Sequence, residues 1–225
     1  MRITWVDQEI KSAEYTVEEG EELSLNLAAF QDFPNVEIRV NVCKGGIFKG
    51  AFADFSGNGG KLKVFIDLLG RGAEARWHLA SICGNKSEKI IDVNLAHRSP
   101  HTKGLVSNYG IVEDDSRLSF LGTSTIEKGA SDSSTRQEAK IIVFDKGCLA
   151  KAMPILKIDE NDVSASHAAV VGKLNEAHLF YLLSRGIPLA SAKRLLTLGY
   201  LKPIENFFDD EVLKKKIDDS IEGGI

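Results

Sequence analysis

Short runs in which every second residue is apolar recur along most of the chain. In Lys61-Leu-Lys-Val-Phe-Ile-Asp67 and Ile90-Ile-Asp-Val-Asn-Leu95 the alternate positions are apolar and the others mixed, the pattern of a strand with one face in a core. The plainest strand-like runs are Val36 to Val42, Leu62 to Leu68, Ala75 to Cys83, Lys89 to Ala96, Gly104 to Val112, Arg117 to Gly122 and Ala139 to Phe144, separated by Gly, Asn, Asp and Ser. Turn residues at intervals of roughly 10 to 25 positions predict a mainly β body: a sandwich, a barrel or a β-helix. No internal repeat of constant period can be counted, so periodicity does not demand a solenoid.

After Gly172 the period changes. Asn175 is placed to cap a helix that carries Leu179, Phe180, Leu182 and Leu183, and Gly186 supplies its stop. Pro188 opens a second helix with Leu189, Ala192, Leu195 and Leu196 as its apolar stripe, and Gly199 is expected to close it. A third helix is expected from about Glu205 to Ser220, with Leu213, Ile217 and Ile221 on one face and Lys214, Lys215 and Lys216 as a solvated one. The chain thus divides into a β core over residues 1–165 and a helical subdomain over 166–225, whose last residues from Glu222 are expected to fray.

Composition narrows the function classes. With 225 residues, 43% hydrophobic and 27% charged, the chain can bury one sizeable core and a small appendage. Lys and Arg number 28 against 32 Asp and Glu, so no overall basic field recruits nucleic acid or an acidic membrane. No stretch approaches the roughly 20 apolar residues of a membrane span. Asp7, Gln8 and Glu9 stand where a signal peptide would be apolar, and the expectation is a cytoplasmic protein.

Little local chemistry asserts itself. Cys43, Cys83 and Cys148 lie too far apart for a zinc-site pair and are read as reduced, partly buried hydrophobes. His97 and His101 have the spacing of helical metal ligands, but Pro100 between them argues against a helix, so no metal site is expected. The segment from Phe55 to Lys61 is glycine-rich yet lacks the upstream Gly and the following Ser or Thr of a phosphate loop, and reads as a turn. Glu113-Asp114-Asp115 and Asp159 to Asp162 lack the EF-hand spacing and read as solvated turns. No serine-nucleophile elbow is present. No catalytic residue is therefore expected.

One stretch is distinctive: Ser166-His167-Ala-Ala-Val-Val-Gly172-Lys-Leu-Asn-Glu-Ala-His-Leu-Phe180-Tyr181-Leu-Leu-Ser-Arg185-Gly186-Ile187. It resembles the C-terminal signature of the SufB/SufD family, the scaffold subunits of an iron–sulfur cluster assembly machine. His97-Arg-Ser-Pro-His101-Thr102 is similar to that family's His-x-Ala-Pro-His-Thr segment, with Ser99 for alanine. Ser134-Thr-Arg136-Gln137 and Asp145-Lys146 resemble its Asp-Ala-Arg-Gln strand and Asp-Lys turn. Together these pieces cover roughly residues 90 to 200.

The resemblance implies a right-handed β-helix flattened into two sheets, followed by a small helical subdomain. It implies a non-catalytic scaffold whose helices dock a SufC-like ABC ATPase, through Leu179, Phe180, Tyr181, Arg185, Gly186 and Ile187. It also implies core-to-core pairing with a SufB-like or SufD-like subunit, or with a second copy, along the strands from Arg136 to Ile158 and near Ser166-His167. SufB is taken to build its cluster with a cysteine about 28 residues before the family histidine and a glutamate directly after it. Those positions hold Ala139 and Ala168 here, and neither side chain can bind iron. The chain therefore looks more like SufD, with His167 as its contribution to the cluster-assembly interface and Cys148 as a weaker candidate. No stably bound cofactor is expected, only a transient iron–sulfur cluster. The competing expectation is a free-standing β-helix enzyme, or a small-ligand- or carbohydrate-binding protein, using His97, His101 and acidic residues.

Overall fold

The computed structural model describes residues 1–7 and 12–223. Its strands are β1 (Arg2–Val6), β2 (Ser12–Val17), β3 (Glu22–Ala29), β4 (Val36–Val42), β5 (Ile47–Asp54), β6 (Gly60–Leu68), β7 (Glu74–Cys83), β8 (Glu88–His97), β9 (Lys103–Val112), β10 (Arg117–Ile126), β11 (Ser133–Val143), β12 (Leu149–Ile158) and β13 (Val163–Lys173). The odd-numbered strands form a seven-stranded sheet in chain order, and the even-numbered ones a six-stranded sheet. Every pairing is parallel. Each turn of the chain lays one strand in each sheet, which makes a β-solenoid flattened into two layers, the architecture implied by the resemblance.

Alternation explains the layers. Leu25, Ile38, Phe48, Val64 and Trp77 point between the sheets and retain no exposed surface, while their chain neighbours Arg39, Lys49 and Arg76 stand outside. The outer face of the seven-stranded sheet is apolar over part of its area as well. Ala28, Ala53 and Ala80 are register partners in one outward row, and all three are buried. Such small side chains let a second layer approach the sheet closely.

That layer is the helical subdomain. It comprises α1 (Glu176–Ser184), α2 (Leu189–Leu201), a 3-10 segment (Lys202–Phe207) and α3 (Glu211–Gly223). Leu201, Ile204, Phe208, Leu213, Ile217 and Ile221 form a second buried cluster with the alanine row. Lys216 of α3 reaches back to Asp7, 3.2 Å away, and lies over the Phe30 ring, so this lysine fastens the helix to the first coil while Lys215 is solvated. Asn175 Oδ1 accepts from the amides of Ala177 and His178, and Gly186 ends the helix with φ of +81°, as the sequence predicts.

Three boundaries differ from expectation. Residues 166–173 complete β13, because the apolar run Ala168 to Val171 extends the ladder against β11; the helical part therefore starts after Asn175, not at residue 166. Gly199 lies within α2, which continues to Leu201 because Leu201 is anchored in the second cluster. The third helix begins at Glu211, not Glu205: Pro203 lies in the first turn of the 3-10 segment, and Asp210 accepts from the amides of Val212 and Leu213 to cap α3. Glu222 and Gly223 are its last residues, and the rest of the segment expected to fray lies outside the described residues.

Candidate partner interface at the open end of the solenoid

The final coil leaves the solenoid open. β12 pairs only with β10, and β13 only with β11, so both end their sheets. Pro154 lies within β12 opposite Gly122, as an edge strand tolerates. Large apolar side chains are exposed on these strands, including Leu149, Met153 and Ile155 on β12 and Val170 and Val171 on β13.

His167 stands at the centre of β13, exposed, and its register partner is Gln137. Gln137 belongs to the inward row of β11 and is 3% exposed, yet neither of its amide atoms finds a hydrogen-bond partner. Asn108 Oδ1, Thr135 Oγ1 and Ser124 Oγ are buried and unpaired too. Apolar packing thus gives way to polar groups in the coils beneath His167. Buried polar atoms ordinarily have partners, and water or an incoming group is needed to satisfy these. Ala139 is two residues along the same inward row and is buried, whereas Ala168 pairs with outward-facing Glu138. The two positions that the resemblance sets against SufB's ligands therefore hold methyl groups on opposite faces of the sheet.

The second surface is on the helices. Phe180 is 73% exposed and Tyr181 57% exposed, with Leu183, Leu189 and Leu195 also open to solvent. The Arg185 guanidinium lies 5.2 Å from the centre of the Tyr181 ring, which fixes a cation beside the aromatic pair. Leu179 and Ile187 are half-buried, and the Ile187 amide donates to Leu182 O. Of the six residues expected to meet an ATPase, Phe180, Tyr181, Arg185 and Gly186 are presented to solvent, and Leu179 and Ile187 are only partly so. No residue of α1 is buried.

The histidines of the competing reading are not brought to one site. His97 is fully buried, its Nδ1 is 2.7 Å from Thr102 Oγ1, and burial pulls its pKa down to about 4. His101 is half-buried and lies 2.5 Å from Asp132 Oδ2. Cys83 and Cys148 are buried and Cys43 is half-buried; Cys148 packs in the main core. Burial pushes the Cys83 thiol up. Among the described residues no group of three or more His, Cys, Asp or Glu side chains is arranged to hold a metal ion, and no helix is long and apolar enough to cross a membrane.

Comparison with known proteins agrees with the geometry. The family model described as SUF system FeS cluster assembly, SufBD core domain, matches residues 30–200. The iron–sulfur cluster assembly protein SufD of Bacillus subtilis is 38% identical over 139 residues, 62% of this chain and 32% of SufD. A SufBD family protein of Staphylococcus saprophyticus is 24% identical over 136 residues, 60% of this chain and 29% of that protein. One from Mycobacterium tuberculosis is 26% identical over 137 residues, 61% of this chain and 16% of that protein. The matched segment thus spans a third or less of each relative's length. The solenoid, the helical signature and these matches together place the chain in the SufBD core-domain family, on the SufD-like side.

Proposed function

We propose that this chain is a scaffold subunit of iron–sulfur cluster assembly, acting in the cytoplasm, which joins two partners and performs no reaction by itself. The observation that carries the reading is the open final coil. An unpaired edge of β13, with His167 at its centre and exposed apolar residues beside it, is a surface that a folded protein ordinarily covers. A SufB-like or SufD-like core, or a second copy of this chain, would cover it; identical cores can satisfy such a contact through a twofold axis. The cluster is cargo at that junction, not a resident cofactor. A neutral imidazole can ligate iron, and His167 is exposed where a partner's thiolate or carboxylate would supply what Ala139 and Ala168 do not.

The helices have the other task. Phe180, Tyr181 and Arg185 form an aromatic and cationic patch of the kind enriched at protein interfaces, and a SufC-like ABC ATPase is the partner assigned to it. Nucleotide-driven movement of the ATPase would reach the core through α2 and α3.

The core contact is tested by light scattering on the chain, alone and mixed with the SufB-like subunit of the same genome. Val171→Lys places a charge on the exposed edge strand. Wild-type protein is expected to form a core-to-core dimer, either with itself or with the SufB-like subunit, that this variant fails to form. A monomer in both mixtures, or a dimer indifferent to Val171→Lys, contradicts the assignment of the open end.

A further inference from the structure

A cleft away from both surfaces has the features of a small-ligand site. It lies between the outer face of β3, β5 and β7 and the 3-10 segment, has a volume of about 250 Å³, and is lined by Asn26, Lys49, Arg76, His78 and Phe207 among others. The His78 ring stacks on Phe207, with centroids 4.0 Å apart and planes inclined by 21°. Asn26 Nδ2 donates to Phe207 O at 2.9 Å, which fixes the far side of this plate. A second, more apolar cleft of about 260 Å³ shares His78 and Phe207 as its wall and adds Leu79, Tyr109 and Pro203.

The charges decide what kind of ligand fits. Lys49 pairs with Glu22 at 2.7 Å, and Arg2 pairs with Asp209. Arg76 has no carboxylate partner among the described residues, and its register neighbours are Lys49 and Leu105. One uncommitted guanidinium beside a flat aromatic plate suits a monoanion that carries a flat or apolar body. Glu22 and Asp209 at the rim would repel a dianion. Burial and the nearby Arg76 charge hold the His78 ring neutral, with a pKa of about 4, so it offers one donor and one acceptor at neutral pH.

We propose that this cleft binds a small organic monocarboxylate, its carboxylate held in the fork of Arg76 and its carbon body laid against the His78–Phe207 plate. Bidentate pairing is the geometry that arginine provides and lysine does not. The volume lies below the roughly 300–1,000 Å³ of drug-sized sites, which sets the ligand at about the size of benzoate.

Benzoate is therefore the probe, titrated into the isotope-labelled chain at constant ionic strength and followed by amide and aromatic NMR shifts. The expected result is saturable binding with a Kd of order 1–10 mM, as befits a ligand of so few atoms, with shifts concentrated at Ala51, His78 and Phe207. Arg76 is exposed, so Arg76→Gln should leave the spectrum otherwise intact while weakening binding about tenfold or more. Arg76→Lys should fall between the two, and uncharged benzamide should bind more weakly than benzoate. Absence of saturation, equal binding by the Arg76→Gln protein, or benzamide binding as well as benzoate would each overturn the proposal.

Discussion

Lys89 Nζ lies 2.8 Å from Asp54 Oδ2, and neither side chain has any exposed surface. The pair is fully satisfied: Lys89 also donates to the carbonyls of Ser56 and Ile82, and Asp54 accepts from the hydroxyls of Ser56 and Ser81. It links β5, β7, β8 and the loop after β5, so it staples successive coils at one edge of the solenoid. Lys89→Met leaves Asp54 buried without its counter-charge and is expected to cost about 3–5 kcal/mol in urea denaturation. The double variant Lys89→Met/Asp54→Leu should lose clearly less than the sum of its two singles. Additive losses would show that the two groups are not coupled.

Gly122 sits in the middle of β10, where a Cβ would come 2.4 Å from Val93 O on the neighbouring strand. That is backbone, which cannot rotate away, so Gly122→Ala is expected to destabilise the solenoid by about 1–3 kcal/mol. Glycine elsewhere in a strand normally weakens it, so an unchanged denaturation midpoint would mean that the coils do not approach as closely as described.

The buried His97 gives stability a pH dependence of known sign. Its folded pKa of about 4 lies below the usual 6.5, so the unfolded chain binds the proton more readily. The neutral ring's contribution is therefore complete above pH 6.5 and lost as the pH falls toward 4, by up to about 3 kcal/mol. Glu113 acts in the opposite sense. Burial, with Asp114 and Asp145 close by, raises its pKa to about 7, so stability linked to it is present below about pH 4.5 and lost as the pH rises to 7. Relative to His97→Asn, the wild type should lose its advantage on acidification from pH 7 to pH 4.5; relative to Glu113→Gln, it should lose ground on moving from pH 5 to pH 8. Parallel pH profiles for wild type and variants would contradict both assignments.

Because α1 buries no side chain, its amides should exchange with solvent far faster than those of β7 or β9 in the isolated chain. Asn175→Ala removes the acceptor for two amides and should cost the helix about 1 kcal/mol, seen as further loss of protection confined to residues 176–184. Binding of a partner at Phe180 and Tyr181 should restore protection there. Protection in the free chain equal to that of the core would mean that α1 already has a partner surface within the molecule.

The strands of the middle coils are legible in the sequence where their inward positions are apolar and their outward positions mixed. β6 is the plain case: Leu62, Val64 and Ile66 are buried and alternate with Lys61, Lys63 and Phe65, none of them buried. β5 carries no such pattern, because Ala51 and Ala53 face the helical layer while Phe48 and Phe52 face the main core, and burial on both faces erases alternation. The solenoid repeat was invisible for a different reason. Along one row, Arg2, Ser24, Lys49, Arg76, Leu105 and Arg136 are register partners, at separations of 22, 25, 27, 29 and 31 residues. Coil length grows from 22 to 31 residues along this row and the last step, Arg136 to Ser166, is 30, so no fixed period exists to be counted. At the candidate interface, Ser166-His167 and the Phe180 to Ile187 segment could be found from their motif. The unpaired Gln137 and Asn108 beneath His167, the Lys89–Asp54 pair and the Arg76 cleft depend on residues that only the coiling brings together.

The central claim is that this chain is a two-sided scaffold, and the most direct measurement is the mass, by light scattering, of what elutes when it is co-expressed with the SufC-like ATPase of the same genome. The account predicts a stable complex that includes the ATPase and is lost with Phe180→Asp/Arg185→Glu, whose β core remains folded because those side chains are exposed. A chain that elutes free of the ATPase, or a complex that survives this double substitution, would contradict it.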